Sequence, residues 1–514
     1  MVFKGIAYAK APVGELRFKT SLQEPEPIDL SVQPRLTTSF KPRCIGVLDE
    51  QQTSSEDCLY LNLFAPLKPS ESKEGYPVMA WLNSGSISVQ NADNFVRKDV
   101  VFVDINYRFG VFGFFSSGDA EAVGNWGLLD IERALEWIQD NIGRFGGDPD
   151  RVTVFGHGEG AEAASALSLS STHSSSLFHQ LILISGSTGC QKSGATNSQA
   201  QKLANKLAEQ LECLEKETRM DCIRAKPQQD IVKAIMESGE WLQSAFTNDY
   251  SKPIMDSEFL PGTFEAVFAN VAPKPIMAGV VSAEVKNSVA QLIGEDLVEF
   301  FSSDRFNESY VRQKMMLFTR DMRLDKMQEK IVTELVTQTY FDFENFGKRD
   351  LANKFIQMLS DFLVVSCVYE DARQKADHNW PTWLYIYDFV PPEWRHKWLE
   401  GAFHGSELPY LFMDSSALSK TGDASKNAFD APDDLTVVDH LSTIFSNFAK
   451  DGNPTAQDLD GLKWPKLGEE TDPYLVIEPK LKVKRKFRPD LLELRHQIPE
   501  TLEFLRMRTE HEEL

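Results

Sequence analysis

The chain has 514 residues, 42% of them hydrophobic and 25% charged. That is enough apolar material for a large core, and too little bias for a disordered or collagen-like chain. Its 54 Lys and Arg against 76 Asp and Glu leave a net charge of −22, which disfavours nucleic acid and anionic membrane as partners. No run of about 18 apolar residues marks a membrane span.

Residues 3–18 are turn-rich and begin as though a strand were already under way. A short strand follows an acidic turn near 58–65. The compact β-rich runs 76–82 and 100–107, bounded by polar loops, have the pattern of strands buried on both faces of a largely parallel sheet. In the stretch 127–142, Leu128, Ile131, Leu135 and Ile138 share one helical face and predict a helix packed on that sheet. Gly146, Gly147 and Pro149 break it. A strand from 151, a glycine-rich turn, a helix over 162–169 and a strand over 177–185 then continue a βα alternation, hence a doubly wound α/β sheet. Residues 197–237 and 309–375 are helix-rich and are expected to form a cap over the sheet. Strands return at 275–282 and 382–387, a helix spans 435–450, and a charged helix begins near 489. No internal repeat interrupts a single domain over residues 1–514.

Two possible cysteine pairs close short loops, Cys44 with Cys58 and Cys213 with Cys222, although spacing alone proves neither. Zinc wants closely spaced Cys or His couples and there is no Cys-x-x-Cys, so no metal is expected, and no cofactor. Cys190 and Cys367 adjoin apolar runs, where a free buried thiol is the plainer reading. Asn307-Glu308-Ser309 is the lone glycosylation sequon. The terminal HEEL (511–514) is a variant of the tetrapeptide that retains proteins in the endoplasmic reticulum, with a chance acidic tail as its rival. No signal peptide opens the chain, so a cytoplasmic location follows if Met1 is the true start.

The stretch 151–167 carries the chemistry, and two motifs compete for it. Gly156, Gly158 and Ala161 fit the Gly-x-Gly-x-x-Ala letters of a dinucleotide turn. That fold needs an acidic residue closing the next strand, and this strand ends Ile184-Ser185-Gly186-Ser187 with no carboxylate. The other motif is a nucleophile elbow, Gly-x-Ser-x-Gly, in which a serine stands between strand and helix. Here the five residues read Gly156-His157-Gly158-Glu159-Gly160.

Residues far from this turn favour the elbow. The stretches GIAYAKAPVGELRF (5–18), SEDCLYLN (55–62), NYRFGVFGF (106–114), GNWGLLD (124–130), FGGDP (145–149), GAFHGSELP (401–409) and NFAKDGNP (447–454) resemble the type-B carboxylesterase and cholinesterase family along almost the whole chain. The resemblance implies an α/β-hydrolase fold: a mostly parallel central sheet flanked by helices, with helical cap insertions. It implies disulfides Cys44–Cys58 and Cys213–Cys222, and an initial hairpin and signal peptide upstream of Met1.

It further implies a Ser-Glu-His triad, in which His404 matches the general base and Glu284 the orienting acid, with Val285 where glycine is usual. The nucleophile position falls on Gly158. The family's His-Gly-Gly-Gly oxyanion loop corresponds to Asn83, Ser84, Gly85 and Ser86, so two glycine positions carry a Cβ. The third oxyanion donor is the N–H of Glu159, whose carboxylate would oppose developing negative charge. His157 reads as a turn residue beside the pocket. These departures predict a catalytically impaired relative that binds a hydrophobic ester-like ligand or a protein partner. A slow hydrolase using His404-activated water is one alternative, and an adhesion or interaction module is another, with homodimerisation a family-level expectation.

Overall fold

A computed structural model describes the chain apart from residues 23–38, 47–53, 86–88, 90, 171–175, 192–195, 238–252, 255–258, 261–266, 269–270, 294–295, 320–323, 415–428, 430, 457–458, 460, 469–470 and 513–514. Among the described residues, ten strands form one sheet. They are β1 (Val2–Ala7), β2 (Tyr60–Phe64), β3 (Tyr76–Asn83), β4 (Val101–Asn106), β5 (Gly147–His157), β6 (Gln180–Ile184), β7 (Ile276–Val281), β8 (Thr382–Tyr387), β9 (Tyr474–Ile477) and β10 (Lys482–Lys484). Their order across the sheet is β1-β2-β4-β3-β5-β6-β7-β8-β9-β10. Pairing is parallel from β4 to β9 and antiparallel at both ends.

Strands β3, β4, β7 and β8 are buried along their whole length, which is why their sequences are continuous apolar runs rather than alternating ones. One face is covered by α1 (Trp126–Asn141), α2 (Glu159–Ser168) and α3 (Ser366–Asp377). Leu128, Ile131, Ala164 and Val368 there join Val154, Ala278 and Leu384 of the sheet in one cluster. The other face is covered by α4 (Pro432–Asp451), through Leu441, Phe445 and Phe448 against Trp81, Phe155 and Trp383.

The helix-rich stretch 309–375 divides, against the expectation of a single cap. Helices Glu308–Thr319, Lys326–Tyr340 and Lys348–Ser360 build a separate cluster with the tail helix α5 (Pro489–Glu512), whereas α3 packs directly on the sheet. A single π-turn, Asp361–Val365, joins the two parts. The span Lys348–Asp377 is long and apolar enough to cross a membrane, and 61% of its most apolar window is buried inside the fold, the signature of a core helix.

Cys190 and Cys367 are not free thiols: they form a disulfide, beside Cys44–Cys58 and Cys213–Cys222. The sequence separation of 177 between Cys190 and Cys367 left no local signal for the pair. The buried surroundings that suggested thiols are the packing of α3 against the turn Thr188–Gln191.

Candidate active site

β3 lies between β4 and β5, so the chain leaves β3 to one side and later crosses to the other. Beyond the carboxyl ends of strands at such a reversal lies the crevice where open α/β sheets bind ligands. Asn83 and His157 are the last residues of β3 and β5. Glu284 follows β7 and His404 follows β8.

Gly158 links β5 to α2 at φ 54° and ψ −120°, a left-handed conformation that costs a side chain of order 1–3 kcal/mol. Its N–H donates to Ile184 O at 2.9 Å and its carbonyl accepts from Glu162 N at 2.9 Å. The glycines around it are required by contact. A Cβ on Gly156 would lie 2.4 Å from Gly160 C, one on Gly160 2.5 Å from Leu82 O, and one on Gly186 2.3 Å from Gly158 O. Gly158 differs, because a Cβ there would find only His404, at 3.5 Å from Nε2.

Glu284 is fully buried, and three groups hold its carboxylate. Ser185 Oγ donates to Oε1 at 2.7 Å, Val281 N donates to Oε1 at 2.9 Å, and Oε2 sits 2.6 Å from His404 Nδ1. Ser185 itself takes φ 51°, a strained setting for a serine that its bond to Glu284 accounts for. The His404 loop is stitched to the Glu284 loop by Ala283 N to Ala402 O at 2.8 Å, Ala402 N to Ser282 Oγ at 2.8 Å, His404 N to Glu284 O at 3.2 Å and Lys286 Nζ to Gly401 O at 2.6 Å. Burial works to lower the His404 pKa, but the hydrogen bond and charge of Glu284, followed by Glu407 and Glu162, raise it above the ordinary histidine value. With 39% of its side chain open to solvent, His404 keeps Nε2 facing the space above Gly158.

Sequence reasoning assigned no part to Ser185 or Glu407. Gly-Ser-Glu directly after His404 was the available signal. His157 is a buried strand residue rather than a turn residue, its ring centroid 4.3 Å from that of His404 and its Nε2 4.0 Å from Glu407 Oε1. Burial, then His404, holds the His157 pKa well below the usual value. Burial, then the charge of Glu284, pushes Glu407 up to about 8. Glu159 opens α2, and burial with Glu162 pushes its carboxyl up to about 7, so near neutral pH it carries less of the opposing charge expected of it. Ser84 and Gly85 follow β3 against the start of α2, Ser84 Oγ standing 3.6 Å from where a Gly160 Cβ would be; Ser86 lies outside the described residues. Asn307 is exposed, just before the helix Glu308–Thr319.

A parallel sheet with a sharp strand-to-helix turn, a carboxylate after one strand and a histidine after the next defines an α/β-hydrolase. The sequence model of the carboxylesterase family matches residues 1–494, and the chain belongs to that family. It is similar to liver carboxylesterase 1 of Oryctolagus cuniculus, 29% identical over 90% of this chain and 83% of the relative. Acylcarnitine hydrolase of Mus musculus is 28% identical over 93% and 83%. Acetylcholinesterase of Bungarus fasciatus is 29% identical over 92% and 78%.

Proposed function

We propose that this carboxylesterase-family protein is inactive as a serine esterase and uses its site to bind a hydrophobic, ester-like small molecule. The observation that carries this reading is Gly158. It occupies the elbow, and at 3.5 Å from the Cβ position to His404 Nε2 it offers no oxygen for that histidine to activate. The ester-like character of the ligand is taken from the relatives, which are named as esterases and hydrolases of acyl compounds. Three disulfides fit an oxidising compartment, and on that ground we place the protein in the secretory pathway.

Steady-state hydrolysis of an aryl acetate, run beside a His404→Ala control and a fluorophosphonate label, tests this. Background rates in both proteins and no label are expected; turnover lost with His404 overturns the reading. That outcome belongs to a second reading, favoured by the intact His404–Glu284 couple, in which water fills the space above Gly158 and His404 deprotonates it. Such an enzyme hydrolyses slowly and forms no acyl-enzyme.

A further inference from the structure

The loop after β3 has its own hydrogen-bond economy, independent of Gly158. Asn83 is buried at the end of β3, next to the buried Asp104 of β4. Its Nδ2 donates to Asp104 Oδ1 at 3.1 Å, and its Oδ1 accepts from the N–H of Gly85 at 3.0 Å. The other Asp104 oxygen accepts from Asn62 Nδ2 at 2.9 Å, and Asn62 Oδ1 accepts from Gly5 N at 2.9 Å. The Gly85 carbonyl is also taken, by Arg43 Nη1 at 3.0 Å.

The direction of this relay is fixed by chemistry. An ionised carboxylate only accepts hydrogen bonds, so Asp104 obliges Asn83 to turn its NH2 inward and its oxygen toward Gly85. The backbone amide that stands at the carboxyl end of β3, beside the start of α2, is therefore already satisfied by the protein.

We infer that Asn83 is a positioning residue that withholds the Gly85 amide from the ligand, a second block on ester hydrolysis independent of the missing nucleophile. This deepens, and rests on, the proposed function. A carbonyl oxygen lying at that point gains no hydrogen bond from Gly85, so the site takes esters as neutral apolar ligands and does not stabilise a tetrahedral oxyanion there. Burial, opposed by Asn62, Asn83 and Arg43, pushes the Asp104 carboxyl up to about 6, leaving it ionised and the relay in this direction near neutral pH.

The test supplies the nucleophile and then releases the amide. Hydrolysis of p-nitrophenyl acetate is compared in Gly158→Ser, Gly158→Ser with Asn83→Ala, and Gly158→Ser with Asp104→Asn. The last substitution keeps the shape but gives position 104 a donor, which lets the Asn83 carboxamide turn over. Both double variants are expected to raise kcat about 100- to 1,000-fold over Gly158→Ser at little change in KM, the range for one oxyanion donor. Equal kcat in all three overturns the role of Asn83, as does a Gly158→Ser single variant already turning over at about 10 s⁻¹. Where Asn83→Ala fails to fold, Asn83→Leu, which keeps the volume and offers the Gly85 N–H no acceptor, takes its place. Failure of the parent reading is separate, since it shows as His404-dependent turnover in the unaltered protein; the two substitutions are then compared in that background with the same expectation.

Discussion

At the scale of single residues, the elbow separates glycines that the fold requires from one that it does not. Gly160→Ala places a methyl 2.5 Å from Leu82 O, a backbone atom of β3 that cannot retreat without opening the sheet. It is expected to destabilise by about 3 kcal/mol or more, read as a lowered denaturation midpoint. Gly158→Ser meets only ordinary contact with His404 and carries the backbone penalty of about 1–3 kcal/mol. The folded variant is expected to react with a fluorophosphonate where the native protein does not; a folded variant that stays unlabelled even with Asn83→Ala added would show that His404 does not reach the new hydroxyl. Glu407 adds a pH signature. It holds its proton in the fold up to about 8, against a reference of 4.5, so between those values the folded chain binds more protons and stability falls as pH rises. Glu407→Gln, always neutral, is expected to match the native protein below pH 4.5 and to exceed it by about 4 kcal/mol at pH 8. Thermal melts showing a constant gap from pH 5 to 8 would mean that Glu407 ionises normally in the fold.

At the scale of elements, what the sequence disclosed followed the range of the interactions. The strand over 382–387 lies where apolar continuity put it, and β3, β4 and α1 match within a residue or two, because burial on both faces and one-sided periodicity are local signals. α2 begins three residues before its predicted start, since Glu159 and Gly160 already take helical geometry at the turn. β9 and the edge strand β10, of four and three residues, were not anticipated, being too short for a pattern. In the site, His404 Nδ1 lies 2.6 Å from Glu284 Oε2, while Ser185, Glu407 and the Asn83 relay arise from contacts that no spacing records. The Cys190–Cys367 disulfide belongs with these. It ties α3 to the turn after β6 and closes a loop of 177 residues, for which chain-entropy arguments give about 5 kcal/mol. A Cys190→Ser, Cys367→Ser double variant is expected to lose a large part of that, and the Cys213–Cys222 equivalent, separated by 9 residues, to lose less. Urea unfolding of the two variants checks the order; equal losses would assign the effect to native packing rather than loop length.

At the scale of the whole molecule, the tail is bound into the support of the site. Arg488, just before α5, donates from Nη2 to Ser282 O at 2.7 Å, and its Nε lies 3.3 Å from Oδ1 of Asp361. Ser282 opens the loop that ends in Glu284, and Asp361 begins the π-turn between the cap helices and α3. Asp361 is fully buried, and its other oxygen accepts from Tyr340 OH at 2.8 Å. Burial raises its pKa while Arg488, foremost among the opposing groups, lowers it. One cation thus joins the chain's last segment, its cap and the loop carrying the site's carboxylate. Arg488→Met removes that cation and leaves a buried carboxylate uncompensated, for which a loss of about 3 kcal/mol is expected at pH 8. Without Arg488 the carboxyl's pKa rises further, so it regains a proton as the pH falls and the charge penalty disappears. The deficit relative to the native protein should therefore shrink by pH 5.5, and Asp361→Asn added to Arg488→Met should recover most of it at pH 8. Urea unfolding at both pH values measures these differences. A deficit that is the same at pH 5.5 and 8, and untouched by Asp361→Asn, would place the contribution of Arg488 in its bond to Ser282 alone; the recovery pattern would instead identify charge compensation as what holds the tail, cap and sheet together.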